Sequence, residues 1–464
     1  MQLQDIVKCD GCYFSNDGLF LVYTVENKIF LTEVDIFEIS RIYVCSHKID
    51  SIEFSCDNIH FSALMKSKGC LCVYSLYKSK LVTRIQDFFQ MYVHSFFVKK
   101  GSNICVHKYE KKCISIYSIN NAEDSLINIE NVKFKRKGYC FNDDNNILAC
   151  VTESNKKIYI RLISLLNYTF INAIECINFY PNNILFTKTS NIVAYSNNSM
   201  SLHMYRTDGE LLSVHGYSSG LACVNVVEKC DDKNVISIGM EDGAVVILSQ
   251  ENLREVKKIV LDDIITVGEN PKIYKENTPS KDLRNCVLSS NITSRMTGKG
   301  NFAFYSNISE GINGEYKLKS EKEKNNNSLK NNIPGEMTKI GITLLRFSLC
   351  GKYFSVVNER HNNVVRIFEA ESYTCIAVLQ QKGRITSIRW DNVLYKARLL
   401  ICTASPFLFV WSPDGCEIYE MPSGFACNEA TWNSLGTSLL VKNQNSLAVF
   451  HHERKPRKGA FIPP

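Results

Sequence analysis

Two cysteines near the start of the chain have the spacing of half a structural zinc site. Cys9 and Cys12 form a C-x-x-C pair, and thiolates at this spacing bind zinc when two further Cys or His ligands complete a tetrahedron. His451 and His452 could supply those ligands only if the two ends of the chain met. Adjacent residues of a strand point to opposite faces of a sheet. We therefore expect no metal here and interpret the cysteines as core or interfacial thiols.

The chain shows few of the patterns that mark a cofactor or active site. It contains no G-x-x-x-x-G-K-[ST] loop, no H-E-x-x-H motif and no G-x-G-x-x-G motif after a predicted strand. These are the loops and ligand pairs that bind phosphates, metals and dinucleotides. The sequence therefore predicts a non-enzymatic protein with no cofactor and no small-molecule substrate.

Composition and charge predict a folded protein but do not identify its partner. Of the 464 residues 45% are hydrophobic, and 54 basic against 47 acidic residues give a net charge of +7. No apolar run approaches the roughly 20 residues of a membrane helix, and the first residues lack the features of a signal peptide. We expect an intracellular protein that keeps its 19 cysteines as thiols. Residues 453–464 form a basic tail, which is either solvated or binds acidic partners.

A repeat of about 40 residues organises the chain. Each unit reads as short apolar strands separated by turns rich in Asn, Asp, Gly and Ser. Steps between successive anchors measure 40, 43, 44, 38, 47, 121, 43 and 42 residues; the anchors are Phe14, Phe54, Phe97, Phe141, Phe179, Val226, Phe347, Trp390 and Trp432. This period is typical of propeller blades. The sequence predicts an all-β WD-type propeller, most simply one ring of eight or nine four-stranded blades.

The last unit shows three clear strands, whereas an apolar segment, Leu3 to Val7, precedes the first unit. We expect this segment to complete the last blade and so to remove an exposed strand edge. Residues 1–267 would then form blades one to six, and residues 339–452 the three blades that close the ring.

Residues 268–338 account for the long step between the sixth and seventh units. Their second half is rich in Lys, Asn, Glu and Ser, and such a composition offers little to bury in return for ordering. We expect a mostly disordered insertion, with no apolar strand within residues 280–334. At its start Pro271, Lys272, Tyr274 and Lys275 form either a partner anchor or a clamp that docks the insertion onto the ring.

Several segments resemble the centrosomal WD-repeat family known as WD-repeat-containing protein eight. They are GMEDGAVVILSQENL with NPKIYKEN, IGITLLRFSLCGKYFSVVNE with NVVRIFEAESYTCIAVLQQ, and LLICTASPFLFVWSPDGCEIYEMPSG. The resemblance implies a scaffold at the centrosome, spindle pole or basal body. It also implies a coiled-coil anchoring partner, a minus-end-directed kinesin and tubulin complexes, and a role in tethering microtubule minus ends for spindle or cilium assembly.

The chain departs from the usual WD pattern, because its one Trp-Asp dipeptide, Trp390–Asp391, lies early in a unit and Gly-His pairs are absent. The resemblance is best in the last three units, so we expect the partner to bind their loops through Arg360, His361, Arg384 and Phe407. Large propellers also resemble the eukaryotic initiation factor two A family. A translation-associated, RNA- or ribosome-binding propeller is therefore the alternative function.

Overall fold

The chain is built from strands, as the repeats predicted. A computed structural model describes residues 2–78, 80–98, 102–133, 138–142, 144, 146–197, 201–216, 223–267, 271–277, 304–307, 314–318, 341–422 and 424–451. Within these ranges there is no α-helix, and 3-10 turns occur at Lys66–Lys68 and Glu359–His361. No helix in this part of the chain has the length and apolar character to cross a bilayer.

The first 25 strands precede the insertion, and their bounds follow in chain order. They are β1 (Gln2–Lys8), β2 (Gly11–Phe14), β3 (Phe20–Val25), β4 (Lys28–Glu33), β5 (Ile39–Val44), β6 (Ser51–Phe54), β7 (His60–Met65), β8 (Cys70–Ser75), β9 (Leu81–Gln86), β10 (Tyr92–Val98), β11 (Asn103–Lys108), β12 (Cys113–Ser118), β13 (Ser125–Ile129), β14 (Tyr139–Asn142), β15 (Ile147–Ser154), β16 (Lys157–Ser164), β17 (Phe170–Glu175), β18 (Asn183–Phe186), β19 (Ile192–Tyr195), β20 (Ser201–Tyr205), β21 (Leu211–Gly216), β22 (Val224–Cys230), β23 (Val235–Met240), β24 (Ala244–Ser249) and β25 (Glu255–Val260).

The remaining strands belong to the insertion and to the last three blades. They are β26 (Ile264–Val267), β27 (Lys272–Asn277), β28 (Phe304–Asn307), β29 (Gly314–Lys317), β30 (Ile342–Phe347), β31 (Tyr353–Asn358), β32 (Val364–Glu369), β33 (Cys375–Gln380), β34 (Ser387–Trp390), β35 (Leu399–Cys402), β36 (Phe407–Ser412), β37 (Gly415–Glu420), β38 (Glu429–Trp432), β39 (Ser438–Lys442) and β40 (Ser446–His451).

Nine antiparallel blades are present in the described residues. Blades one to six are the successive groups of four from β2 to β25, blade seven is β30 to β33, blade eight is β34 to β37, and blade nine is β38 to β40 with β1. The larger of the two blade numbers allowed by the sequence is therefore correct, and the predicted fold class is confirmed.

The turn between the first two strands of a blade recurs with the same chemistry. In blade one, Ser15 Oγ donates to Asp17 Oδ1 at 2.5 Å and Gly18 adopts φ 74°. In blade two, Ser55 Oγ donates to Asp57 Oδ1 at 2.5 Å and Asn58 adopts φ 55°. Gly and Asn tolerate this left-handed conformation, so the local sequence fixes the hairpin.

The hydrophobic core lies between the blades. Nine clusters of buried side chains each join two consecutive blades, from the first pair to the pair formed by blades nine and one. Middle strands are buried on both faces, as in β8, where every residue from Cys70 to Ser75 is buried. Because each blade needs both neighbours to cover its faces, the ring is a single packed unit.

The N-terminal strand closes the ring, as predicted. Strand β1 runs antiparallel to β40, with Leu3 opposite Phe450 and Lys8 opposite Ser446. Cys9 and Cys12 of the first blade then pack with Leu447 and Val449 of the last blade. A strand from one end of the chain thus completes a sheet made by the other end.

The start of the insertion docks on blade seven. Strand β27 runs parallel to the outer strand β33, with Ile273 opposite Val378, and β28 pairs with β27 on its far side. Strand β29 pairs with β26, and the next residue, Leu318, packs with Ile273. Two short strands, Phe304–Asn307 and Gly314–Lys317, thus lie within residues 280–334, and the rest of the predicted disorder lies outside the described residues.

Removing β1 tests the closure. We expect deletion of residues 1–8 to lower the melting temperature by about 10 °C or more, because it uncovers β40 and part of a core cluster worth several kcal/mol. Deletion of residues 453–464, which follow the last strand, is the control. Differential scanning calorimetry measures the melting temperatures of both variants. Equal melting temperatures for the full-length and β1-deleted chains would contradict closure by β1.

Ile273 and Lys272 test the docked strand. Ile273 is fully buried whereas Lys272 is exposed in the same strand. We expect Ile273→Asp to lower the free energy of unfolding by about 3 kcal/mol or more, because it buries an uncompensated carboxylate, and Lys272→Asp to change it by less than about 0.5 kcal/mol. Urea denaturation measures both, and similar values for the pair would show that β27 is not packed.

Candidate partner-binding surfaces

Antiparallel blades place their loops at two opposite faces of the ring. Alternate connections emerge at opposite ends of the strands. We call the face with the second-to-third-strand turns and the connections between blades the connection face. The other face, which has the first-to-second-strand and third-to-fourth-strand turns, is the turn face. Binding by a closed ring relies on side chains at these faces.

Three of the four predicted binding residues of the last blades meet at the connection face. Arg360 Nη2 lies 2.9 Å from Asp263 Oδ2, and His361 Nε2 lies 2.8 Å from Asp263 Oδ1. Arg384 pairs with Glu359 of the same 3-10 turn at 3.1 Å. The arginine side chains remain 71% and 61% exposed, whereas His361 is buried. Neighbouring carboxylates thus hold two exposed guanidinium groups in place.

Asp263 is the centre of this cluster. Partial burial opposes its ionisation, but the hydrogen bond from His361 and the charges of Arg360 and Arg366 outweigh burial and lower its pKa. The Arg366 guanidinium also donates to the backbone oxygen of Asp262. The cluster therefore ties the connection after blade six to blade seven.

Phe407 and the Trp390–Asp391 dipeptide have packing roles. Phe407 begins β36 at the connection face and packs, half-buried, against the cluster between blades seven and eight. Trp390 Nε1 donates to Ser355 Oγ at 3.1 Å, which links blade eight to blade seven. The buried Asp391 pairs with Arg398, whose guanidinium lies 3.8 Å from the centre of the Trp432 ring in blade nine. The dipeptide therefore joins blades.

The segment at the start of the insertion packs against blade seven. Pro271 is buried, Tyr274 is half-buried against the core between blades seven and eight, and burial raises the pKa of Tyr274 to about 12. Lys272 and Lys275 point away from the core and are exposed. The geometry thus favours the clamp over the partner anchor for the tyrosine and leaves the two lysines at the surface.

The cysteine and histidine candidates for a zinc site lie at opposite ends of the paired strands β1 and β40. Cys9 lies beside Asn445, because its amide donates to the Asn445 carbonyl at 3.0 Å. His451 is six residues further along β40, about 20 Å away, and its Nδ1 lies 2.8 Å from Ser438 Oγ. His452 lies outside the described residues. No group of three or more potential ligands could hold a metal within the described chain.

The chain also contains one G-x-S-x-G pattern. Residues 216–220 read G-Y-S-S-G, the spacing of a nucleophile elbow, which needs a strand followed by a helix. Gly216 ends β21, the outer strand of blade five, and residues 217–220 lie outside the described residues. The next described element is the strand β22. The setting on an outer propeller strand does not match that of the motif.

Exposed aromatic side chains at turns were missed by the sequence interpretation. Phe88 and Phe89 follow β9 at the connection face, and Leu394 and Tyr395 lie between β34 and β35 at the turn face, beside an open groove of about 450 Å³. The sequence signal for them is a pair of adjacent large apolar residues inside a predicted turn. Two such residues cannot both be buried in a blade, so the pair predicts an exposed apolar surface.

These features define a nine-bladed WD-type β-propeller, and comparison with known proteins agrees. The chain is 23% identical to the mouse WD repeat-containing protein WRAP73, and the alignment covers 99% of this chain and 97% of the relative. The family resemblance read from the sequence is thereby confirmed. No family model matches the chain.

Two solved structures share the fold. One, described as the crystal structure of the eukaryotic initiation factor, has a TM-score of 0.58 and 11% identity, covering 90% of each chain. The C-terminal WD40 domain of Sif2 has a TM-score of 0.50 and 10% identity, covering 88% of this chain and 96% of that one. At these identities the likeness shows the fold alone. The similarity to WRAP73 supports a scaffold role.

Asp263 and Asp262 form a matched pair for testing the cluster. We expect Asp263→Asn to lower the free energy of unfolding by about 1 to 2 kcal/mol, because it weakens the acceptor of the buried His361, while Asp262→Asn changes little. Since the folded-state pKa of Asp263 is lowered, its contribution is present above its usual pKa of 3.8 and is lost as the pH falls further. Urea denaturation at pH 7 and pH 3.5 measures this; an equal loss at both pH values would contradict it.

Proposed function

We propose that this protein is a scaffold at the centrosome, spindle pole or basal body. It binds a coiled-coil anchoring protein there, with a minus-end-directed kinesin and tubulin complexes as further partners, and helps to tether microtubule minus ends during spindle or cilium assembly. The observation that carries the proposal is the similarity to WRAP73 along both chains from end to end. A match of this extent covers every blade rather than one generic repeat.

The architecture supports an adaptor role. The apolar faces of all nine blades are used between blades, so the ring needs no movement to bind and offers pre-formed loops at two faces. Rigid loops lose little conformational entropy on binding. Several partners can therefore occupy different sectors of the same ring.

For the coiled-coil partner we propose the connection face of blades seven and eight. Arg360 and Arg384 are exposed charges there, held by Asp263 and Glu359, and Phe407 lies at the same face. Arginine and aromatic side chains supply much of the energy of protein interfaces. His361 supports Arg360 by fixing their shared carboxylate.

Localisation of a fluorescently tagged protein in dividing cells tests the proposal. We expect one or two foci beside the nucleus, and loss of these foci in the Arg360→Ala, Arg384→Ala, Phe407→Ala triple variant. The control is the Arg206→Ala, Arg254→Ala, Phe170→Ala variant, which removes the same residue types from the turn face.

The outcomes separate the two function classes. Diffuse cytoplasmic fluorescence with ribosome co-sedimentation would replace the scaffold with the translation-associated alternative. Foci that persist in the triple variant, with unchanged melting, would keep the scaffold and move the coiled-coil site to another sector.

A further inference from the structure

Two adjacent phenylalanines stand exposed at the connection face between blades two and three. The side chains of Phe88 and Phe89 are 81% and 88% exposed, and Met91 and Tyr109 beside them are also exposed. Tyr109 donates its amide to the Met91 carbonyl at 2.8 Å, which joins these residues into one surface. We call Phe88, Phe89, Met91 and Tyr109 the aromatic patch.

The turn that presents the patch is fixed from within. Asp87 Oδ1 accepts from the Phe89 amide at 3.1 Å, and the Asp87 carbonyl accepts from the Gln90 amide at 3.2 Å. This combination closes a tight turn. The two rings are therefore presented by an ordered turn.

Both neighbouring blades also hold the turn. From blade two, the Gly69 carbonyl accepts from the Asp87 amide at 2.9 Å, and a Cβ at Gly69 would clash with the Gln90 carbonyl oxygen. From blade three, Glu110 Oε2 accepts from the Met91 amide at 2.8 Å, and Gln90 Oε1 accepts from the Lys111 amide at 3.2 Å. A glycine is required for this approach, so the patch is a built feature of the ring.

Lysines flank the patch on both sides. Lys66 and Lys68 lie on the 3-10 turn of blade two, and Lys112 lies on the corresponding turn of blade three. Within the described residues, none of the three forms an ion pair. Of the acidic groups nearby, Asp87 faces Lys111 at 3.9 Å, Asp50 accepts the backbone amide of Lys66, and Glu110 accepts the backbone amide of Met91. The result is an apolar strip between two positive margins.

We propose that the aromatic patch docks an acidic amphipathic α-helix of a partner protein. Such a helix has an apolar stripe about 100° wide, which would cover the rings, and carboxylates beside the stripe would face the lysines on each side. Exposed apolar patches of this kind mark interaction sites. The docking deepens the proposed scaffold function by assigning a partner chemistry to a second sector of the ring.

A synthetic helix probes the patch directly. The probe is a labelled 20-residue peptide with Leu at i, i+3, i+4 and i+7 and Glu on the other faces, and a second peptide carries Lys in place of Glu. Fluorescence anisotropy with the purified full chain should show binding of the Glu peptide, weakened by salt. Phe88→Ser with Phe89→Ser should weaken it at least tenfold.

Matched variants isolate the two halves of the proposal. Leu394→Ser with Tyr395→Ser removes another exposed apolar pair, 66% and 82% exposed, from the turn face, and we expect it to change the affinity less than twofold. Charge reversal by Lys66→Glu, Lys68→Glu and Lys112→Glu should weaken the Glu peptide and strengthen the Lys peptide. Circular dichroism and melting should be unchanged in all variants, since only exposed side chains change.

Three outcomes would overturn the helix assignment. They are equal peptide binding by the Phe88→Ser, Phe89→Ser variant, patch-dependent sedimentation with vesicles of phosphatidylcholine and phosphatidylserine in place of peptide binding, and patch-dependent dimerisation in analytical ultracentrifugation. These assays use purified protein and are independent of localisation. If the full chain forms normal spindle-pole foci but does not bind the peptide, only the helix-docking proposal is rejected. Peptide binding without foci would reject the proposed location alone.

Discussion

The rest of the structure depends on the pairing of β1 with β40. Blade nine contributes only three strands of its own, and the fourth comes from the opposite end of the chain. Without that strand blade nine would have three strands, and β40 would be an unpaired outer edge. With it, the cluster of Cys12, Leu447 and Val449 gives the first and last blades the same two-sided burial as the others. Closure therefore couples all nine blades.

Once the ring is closed, the remaining exposed edges are those of the outer strands. Unpaired outer strands invite further strand pairing. Blade seven shows this directly, because β27 pairs in parallel with its outer strand β33. Glu276 in β27 is buried, which raises its pKa, and it accepts from the Lys382 amide at 2.7 Å. An insertion at this position thus extends a blade without disturbing the ring.

The sequence predicts the repeated blades but does not predict the strands outside the repeats. Anchors such as Phe54 and Trp390 recur at the blade period, so strand number, blade order and even the spare segment Leu3 to Val7 could be read in advance. The docked strand β27 could not, because it belongs to no repeat unit and its one fully buried residue is Ile273. Burial decides pairing there, and no local pattern records it.

Of the two candidate surfaces, the sequence identified the arginine residues but not the aromatic patch. Arg360 and Arg384 were identified through resemblance, but their carboxylate partners come from a different connection and from the adjacent turn, so only the structure shows that the guanidinium groups are held. Phe88 and Phe89 were overlooked because aromatic residues in a β-rich chain are expected in strands.

The two surfaces also differ in how they can bind. Arginines already paired with carboxylates gain less from an acidic partner than unpaired lysines do, because part of their charge is neutralised before contact. Pairing does, however, orient the guanidinium groups, and an oriented guanidinium can bind a carboxylate of the partner in one defined geometry. The aromatic patch offers apolar area with exposed lysines at its margins, which suits an amphipathic helix with carboxylates beside its apolar stripe. The surfaces lie four blades apart in a ring of nine, so an elongated partner spanning both would gain from effective concentration as well as from contact.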